Sequence, residues 1–354
     1  MLLEGLQLPL TTPFYPDGRL NLRKLEHNVR RYSKTPAVGL VALSEPGEPT
    51  MLSEEETRQA LRCVVEAAAA EKVLLAGVCR DSVIETLRLA DYAAGLAYDA
   101  ILVKAPSVFR TGDVGAARRS LLTYFQTVAD RSALPVVLYS AAFMQESSLS
   151  VELVSELAGH PQIIALIDGA QGGERIAKLK AATASVKRDV SVTQVFAALT
   201  GRMEAVRESA PGGFVSADSL TDGGAALAIA RLKPVVKART KVVGFQILVG
   251  NTIGVLEGLR AGAAGAMPAF AAAAPQACYE VLAAWKDGDE GLAQEKQIRL
   301  HDVAARVEME LGVAGIKYGC DLNGYFGGGP RLPLLPATGE ERAEIEGLMQ
   351  GLRN

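Results

Sequence analysis

The sequence predicts an α/β fold: a (β/α)8 TIM barrel with a C-terminal helical extension and an insertion between the sixth and seventh barrel strands. Three observations predict it. Short apolar runs alternate with longer amphipathic ones along the chain. Those runs are apolar nearly throughout, as expected of strands covered on both faces by helices. No Gly-x-Gly-x-x-Gly follows the first run, which weighs against a doubly wound dinucleotide fold.

The strand candidates, in order, are LQLPLTT, VGLVALS, VLLAGVC, DAILVKA, PVVLYSA, IIALIDG, FQILVG and GAMPAFA. Helical patterns lie between them. SEEETRQALRCVVEAAAAE opens on a Ser53 capping signal with early acids, and VIETLRLADYAAGLA repeats its apolar residues at helical spacing. Between the sixth and seventh strands lie about fifty residues with strand-like and helical patterns of their own, too many for a structureless loop. They predict an insertion, about 186–242, built as an extra hairpin plus a helix. The barrel is thus expected over 1–275 and the helical extension over 276–354, with GIKYGCDLNGYFGGGPRLPLLP breaking the extension before a last helix.

A chain of 354 residues, 49% hydrophobic, buries a large core without disulfides or a structural metal. A net charge of −3 with no basic block gives nucleic acid and anionic membrane no footing as partners. Cys63, Cys79, Cys278 and Cys320 are scattered, with no C-x-x-C pair, which fits a reducing cytoplasm. The N-terminal MLLEGLQLPLTTPF lacks the basic region of a signal peptide, and the longest apolar runs fall short of a membrane span. The expected protein is cytoplasmic, without cofactor or metal.

TTPFYPDGRLNLRKLEHNV, LPVVLYSAAF, ILVGNTIGVLEGLRAGAAGAMPAFAAAAPQ and GIKYGCDLNGYFGGGPRLPLLP resemble successive segments of the dihydrodipicolinate synthase / N-acetylneuraminate lyase family of class I aldolases. The resemblance implies a lyase on a 2-oxo acid or related carbonyl compound, assembled as a homodimer or homotetramer. It implies a strand-six lysine that forms an imine, a strand-five tyrosine that shuttles protons, and a Gly-x-Thr-Gly-Glu loop that holds the substrate carboxylate. Tyr139 matches the tyrosine. SEPGE matches the loop in outline, with Ser44, Gly47 and Glu48, and with Thr12 of the Thr-Thr-Pro-Phe opening, as substrate-binding candidates.

The departures are as informative. Glu45 and Pro46 stand where the loop has its two hydroxyls, which should weaken binding of an anionic substrate. Ser140, Ala142 and Met144 replace the Tyr-Asn-x-Pro asparagine, its proline and a following arginine, and APSVF replaces the interface tyrosines. At the position of the imine lysine stands Ile167, which cannot form an imine.

Lys104 lies within a predicted core strand and is therefore the candidate replacement nucleophile. Its other reading is an ion pair with Asp168 or Glu48, or a place on the rim. Tyr139 reads as a general acid/base or as a core ring with a satisfied hydroxyl. Asp168, at a strand end, is a candidate base or half of a salt bridge. Lys317 matches a lysine that is structural in the family, and GGGPR beside Arg331 reads as a turn. Three functions stay open: a lyase with its amine moved to Lys104, an imine-independent acid/base enzyme, and a non-catalytic barrel that binds a metabolite or partner through its insertion.

Overall fold

All residues of the runs Val73–Gly77, Val136–Ser140 and Ile163–Asp168 are buried, so these segments are covered on both faces. The computed structural model describes residues 1–109, 114–140, 149–170, 172–208 and 238–352. Its strands are β1 (Gly5–Pro9), β2 (Gly39–Ala42), β3 (Val73–Gly77), β4 (Ala100–Lys104), β5 (Val136–Ser140), β6 (Ile163–Asp168), β7 (Arg188–Val192), β8 (Arg239–Val243), β9 (Gln246–Val249) and β10 (Gly265–Ala266). Among the described residues eight of these close a parallel barrel in the order β1-β10-β9-β6-β5-β4-β3-β2. The other two, β7 and β8, pair antiparallel with each other.

Helices α1 (Leu22–Tyr32), α2 (Glu54–Ala67), α3 (Val83–Gly95), α4 (Val114–Arg131), α5 (Val151–Ala158) and α6 (Gly173–Ala182) each follow one strand. α2 starts where the sequence signals it: Ser53 accepts from the Glu56 amide, and the Glu56 carboxylate accepts from the Ser53 amide. After the insertion come α8 (Val255–Arg260) and α9 (Pro275–Lys286), and α9 packs on α8 and β1, closing the ring of helices. Among the described residues no helix is long and apolar enough to cross a membrane.

Strand pleating sorts the apolar residues into two cores. Leu102, Val137, Ala165 and Leu248 meet inside the barrel. Their sequence neighbours Ile101, Val103, Leu138 and Leu166 pack against the helices. The eighth strand is shorter than its apolar run suggests. Only Gly265 and Ala266 pair, because Pro268 has no amide to donate and Ala269–Ala272 coil into a 3-10 turn. A side chain at Gly265 would stand 2.1 Å from the Gly5 carbonyl, so glycine permits the close approach that joins β10 to β1.

In place of the expected hairpin, β7 and β8 form an antiparallel pair from Arg188–Val243 to Val192–Arg239, and the helix α7, Gly201–Glu208, lies between them in the chain. The remainder of the insertion, 209–237, lies outside the described residues, as do Ala142 and Met144. The C-terminal extension is α10 (Glu290–Ala304), a π-helical turn (Ala305–Glu310), α11 (Gly312–Leu322) and α12 (Gly339–Leu348). The π turn delivers Glu308, fully buried, to the Thr252 amide and hydroxyl and the Phe270 amide. The extension is thereby fastened to the segments that follow β9 and β10.

Candidate active site

At the carboxyl ends of the strands, where barrels of this kind keep their chemistry, the register places four residues in a row. Lys104 on β4 pairs with Tyr139 on β5, Tyr139 with Ile167 on β6, and Ile167 with Leu248 on β9. Tyr139, Ile167 and Leu248 belong to the inner core, and Lys104 shares the phase of the inward Ala100 and Leu102. Neighbouring strands are roughly 4.8 Å apart, so Lys104 stands one strand from the tyrosine and two from Ile167. Lys104 is partly exposed, and among the described residues no carboxylate comes within ion-pair distance of its ammonium.

The phenol of Tyr139 donates to Glu45 Oε2 at 3.4 Å. Burial, and after it the Glu45 carboxylate, pushes the phenol well above its ordinary value, so it stays protonated through the working pH range. Glu45 opens a 3-10 turn, Glu45–Gly47, directly beyond β2. Thr12 steadies that turn by donating its hydroxyl to the Gly47 carbonyl at 2.7 Å. The Ser44 hydroxyl is buried and has no hydrogen-bond partner among the described residues. Beside the row a cavity of about 310 Å³ opens, lined by Pro49, Leu52, Cys79, Arg80 and Lys104 among others. The Cys79 thiol donates to the Leu102 carbonyl at 3.4 Å, and burial pushes it up against a smaller opposing pull from Lys104.

The structure separates two expected residues from this group. Asp168 has the phase of Leu166 and turns into the helix layer, where Arg175 Nε of α6 lies 2.6 Å from Oδ2. The Ala170 amide donates to its other oxygen, so the expected base at the mouth is half of a buried salt bridge. Glu48 is engaged as well, not open to a substrate. Lys317 Nζ of α11 is 2.5 Å from its Oε1, and the Arg331 amide donates to Oε2 at 2.8 Å. Glu48 holds a left-handed backbone, φ 52°, a conformation unusual outside glycine that these contacts keep in place. Neither carboxylate pairs with Lys104, which leaves the ion-pair reading of that lysine without its two proposed partners. Arg331 itself makes a bidentate contact with Glu56 and reaches the Gly18 carbonyl, so its guanidinium is engaged within the fold.

The sequence offers Glu45 as a carboxylate that weakens binding of an anionic substrate, and the structure adds its contact with the Tyr139 phenol. No group of three His, Cys, Asp or Glu side chains suited to a metal occurs among the described residues.

The model of the dihydrodipicolinate synthetase family matches residues 2–214 and 226–352. The chain belongs to that family. A 4-hydroxy-tetrahydrodipicolinate synthase of Acidiphilium cryptum is 26% identical over 349 residues, covering 99% of this chain and 98% of that protein. One from Xanthomonas axonopodis pv. citri is 33% identical over 181 residues, 51% of this chain and 58% of its own. The Bacillus anthracis dihydrodipicolinate synthase superposes with a TM-score of 0.77 at 20% identity, over 100% of both chains. A prophage protein of the dihydrodipicolinic acid synthase family from E. coli K12, solved in complex with pyruvate, gives 0.76 at 22% identity over 99% of both. This member of the dihydrodipicolinate synthetase family thus keeps the lyase-family barrel from end to end, with Tyr139, Lys104 and Glu45 around its mouth.

Proposed function

We propose that this protein is a divergent dihydrodipicolinate synthase-like lyase acting on a small carbonyl compound, with the imine amine moved from the position of Ile167 on β6 to Lys104 on β4. The observation that carries the reading is the register: Lys104 and Tyr139 are paired neighbours at the top of the barrel, and Lys104 has the inward phase of Ala100 and Leu102. The deprotonated Lys104 amine attacks the carbonyl carbon, forming the C–N bond as the carbonyl π pair moves to oxygen. Proton transfer from nitrogen to oxygen gives the carbinolamine. Tyr139 then supplies the proton with which that oxygen departs as water, leaving the iminium as an electron sink for breaking or making the adjacent bond. Glu45, hydrogen-bonded to the phenol, orients it and favours return of its proton.

The test is reductive trapping with cyanoborohydride over a panel of 2-oxo acids, aldehydes and ketones, followed by peptide mapping. An adduct on Lys104, absent in Lys104→Met, supports the reading. Turnover with Lys104 unmodified across the panel overturns it. One observation favours a second reading: the Tyr139–Glu45 contact is complete without Lys104. An imine-independent acid/base enzyme would turn over unchanged in the presence of cyanoborohydride and lose activity in Tyr139→Phe.

A further inference from the structure

We infer that Lys317 of the C-terminal extension is a positioning residue for the chemistry at the mouth: through Glu48 it fixes the turn that brings Glu45 to the Tyr139 phenol. This rests on the imine reading above, in which Tyr139 supplies the proton with which water departs.

The path from helix to phenol is short. Lys317, fully buried on α11, places its Nζ 2.5 Å from Glu48 Oε1. The Arg331 amide, from the same extension, donates to Glu48 Oε2 at 2.8 Å. The Glu48 amide in turn donates to the Glu45 carbonyl at 3.0 Å, and the Glu45 carboxylate accepts from the phenol at 3.4 Å. Glu48 thus links the Lys317 ammonium to the residue that meets Tyr139. Lys317 is itself engaged by Glu48, the Gly329 carbonyl and the face of the Phe14 ring, so it acts through Glu48 and not on a bound carbonyl.

Two features make the outer end of this path sensitive to the inner one. Glu48 holds φ at 52°, a left-handed backbone that a residue with a side chain keeps only where its surroundings impose it. Without the ion pair that backbone can relax, and the direction in which the Glu45–Gly47 turn meets the chain beyond it changes. The Tyr139–Glu45 contact is also long for an O–H···O bond, so a small further displacement ends it. Thr12 still holds the Gly47 carbonyl, so the turn is shifted and not lost. A misplacement of about 1 Å at a reacting group can cost about a hundredfold in rate.

The experiment measures the rate of cyanoborohydride-trapped adduct on Lys104 of the full chain, with pyruvate and propanal as probes and reductant in sufficient excess that iminium formation is limiting. Wild type, Lys317→Met, Tyr139→Phe and Lys317→Met/Tyr139→Phe are compared, each rate scaled to the folded fraction at the assay temperature. Lys317→Met is expected to slow trapping by about tenfold to a hundredfold, but by no more than about twofold when Tyr139 is already Phe. If Lys317→Met does not fold, Glu48→Gln/Lys317→Met, which strands neither charge, takes its place with the same expected pattern. A wild-type rate in Lys317→Met, or an equal slowing with and without the phenol, overturns the positioning role while leaving the imine on Lys104 standing. Unchanged trapping in Tyr139→Phe removes the proton-transfer role of the phenol, and no adduct on Lys104 with any carbonyl compound removes the imine; either takes this inference with it.

Discussion

Lys317 reaches Glu48 with its Nζ 2.5 Å from Oε1, and neither side chain is open to solvent. The ammonium also donates to the Gly329 carbonyl and lies 4.5 Å from the centre of the Phe14 ring. One ion pair therefore joins the turn beyond the second strand, the N-terminal segment and the C-terminal extension.

Breaking that pair from one side leaves a buried charge uncompensated. Lys317→Met should lower stability by about 3–5 kcal/mol, and Glu48→Gln/Lys317→Met should lose less than the sum of its single changes. Chemical denaturation of the four proteins measures the coupling, and strict additivity would count against it.

The Arg331 guanidinium beside Glu56 holds that carboxyl down from 4.5 to about 2. A depressed folded-state value means that the unfolded chain takes up the proton first as pH falls. The contribution is whole above about 4.5 and is lost as pH drops toward about 2. Glu56→Gln should remove that part of the acid slope, readable from unfolding midpoints measured across the window.

Tyr139→Phe keeps the ring in the inner core and removes only the phenol. Turnover should fall about 10²–10⁴-fold with little change in melting temperature. Because the phenol sits well above its ordinary value, the wild-type rate should show no alkaline limb from its ionisation within the usual assay range. A limb lost in Tyr139→Phe would contradict this.

Ile167 and Lys104 occupy one row, two strands apart. In Lys104→Met/Ile167→Lys the trapped adduct should move to position 167, at a price in stability because Ile167 is fully buried. Mass mapping of the reduced protein locates it. An adduct at neither position would mean that the row does not surround the bound carbonyl.

Asp168 and Arg175 form a buried contact behind the barrel wall. Arg175→Met should destabilise by about 3–5 kcal/mol, since it strands the Asp168 carboxylate. In the fraction that folds, the turnover number should stay near wild type, and a large drop would restore Asp168 to the chemistry.

The strands were legible because residues buried on both faces are apolar throughout, and the insertion because its length demanded structure. That same uniformity hid the orientation of the strand ends. DAILVKA and IIALIDG show no polar alternation, so nothing in them told Lys104, which follows the inward phase, from Asp168, which follows the outward one. Partners distant in the chain were illegible for another reason: Arg175 is a helix residue among many, and Lys317 lies in a segment with no periodic tie to Glu48. Glu45 is visible in the SEPGE loop, but its contact with Tyr139 joins residues 94 positions apart, which no local pattern announces.

The barrel sheet is complete at Ala266, yet the turn carrying Glu48 is tied down by a lysine 269 residues further along the chain. Sheet closure and completion of the mouth are therefore separate events in the life of a nascent chain. A ribosome that has released every barrel strand still holds back the residue that locks the second-strand turn. The second-strand turn gains its buried partner only when α11 docks.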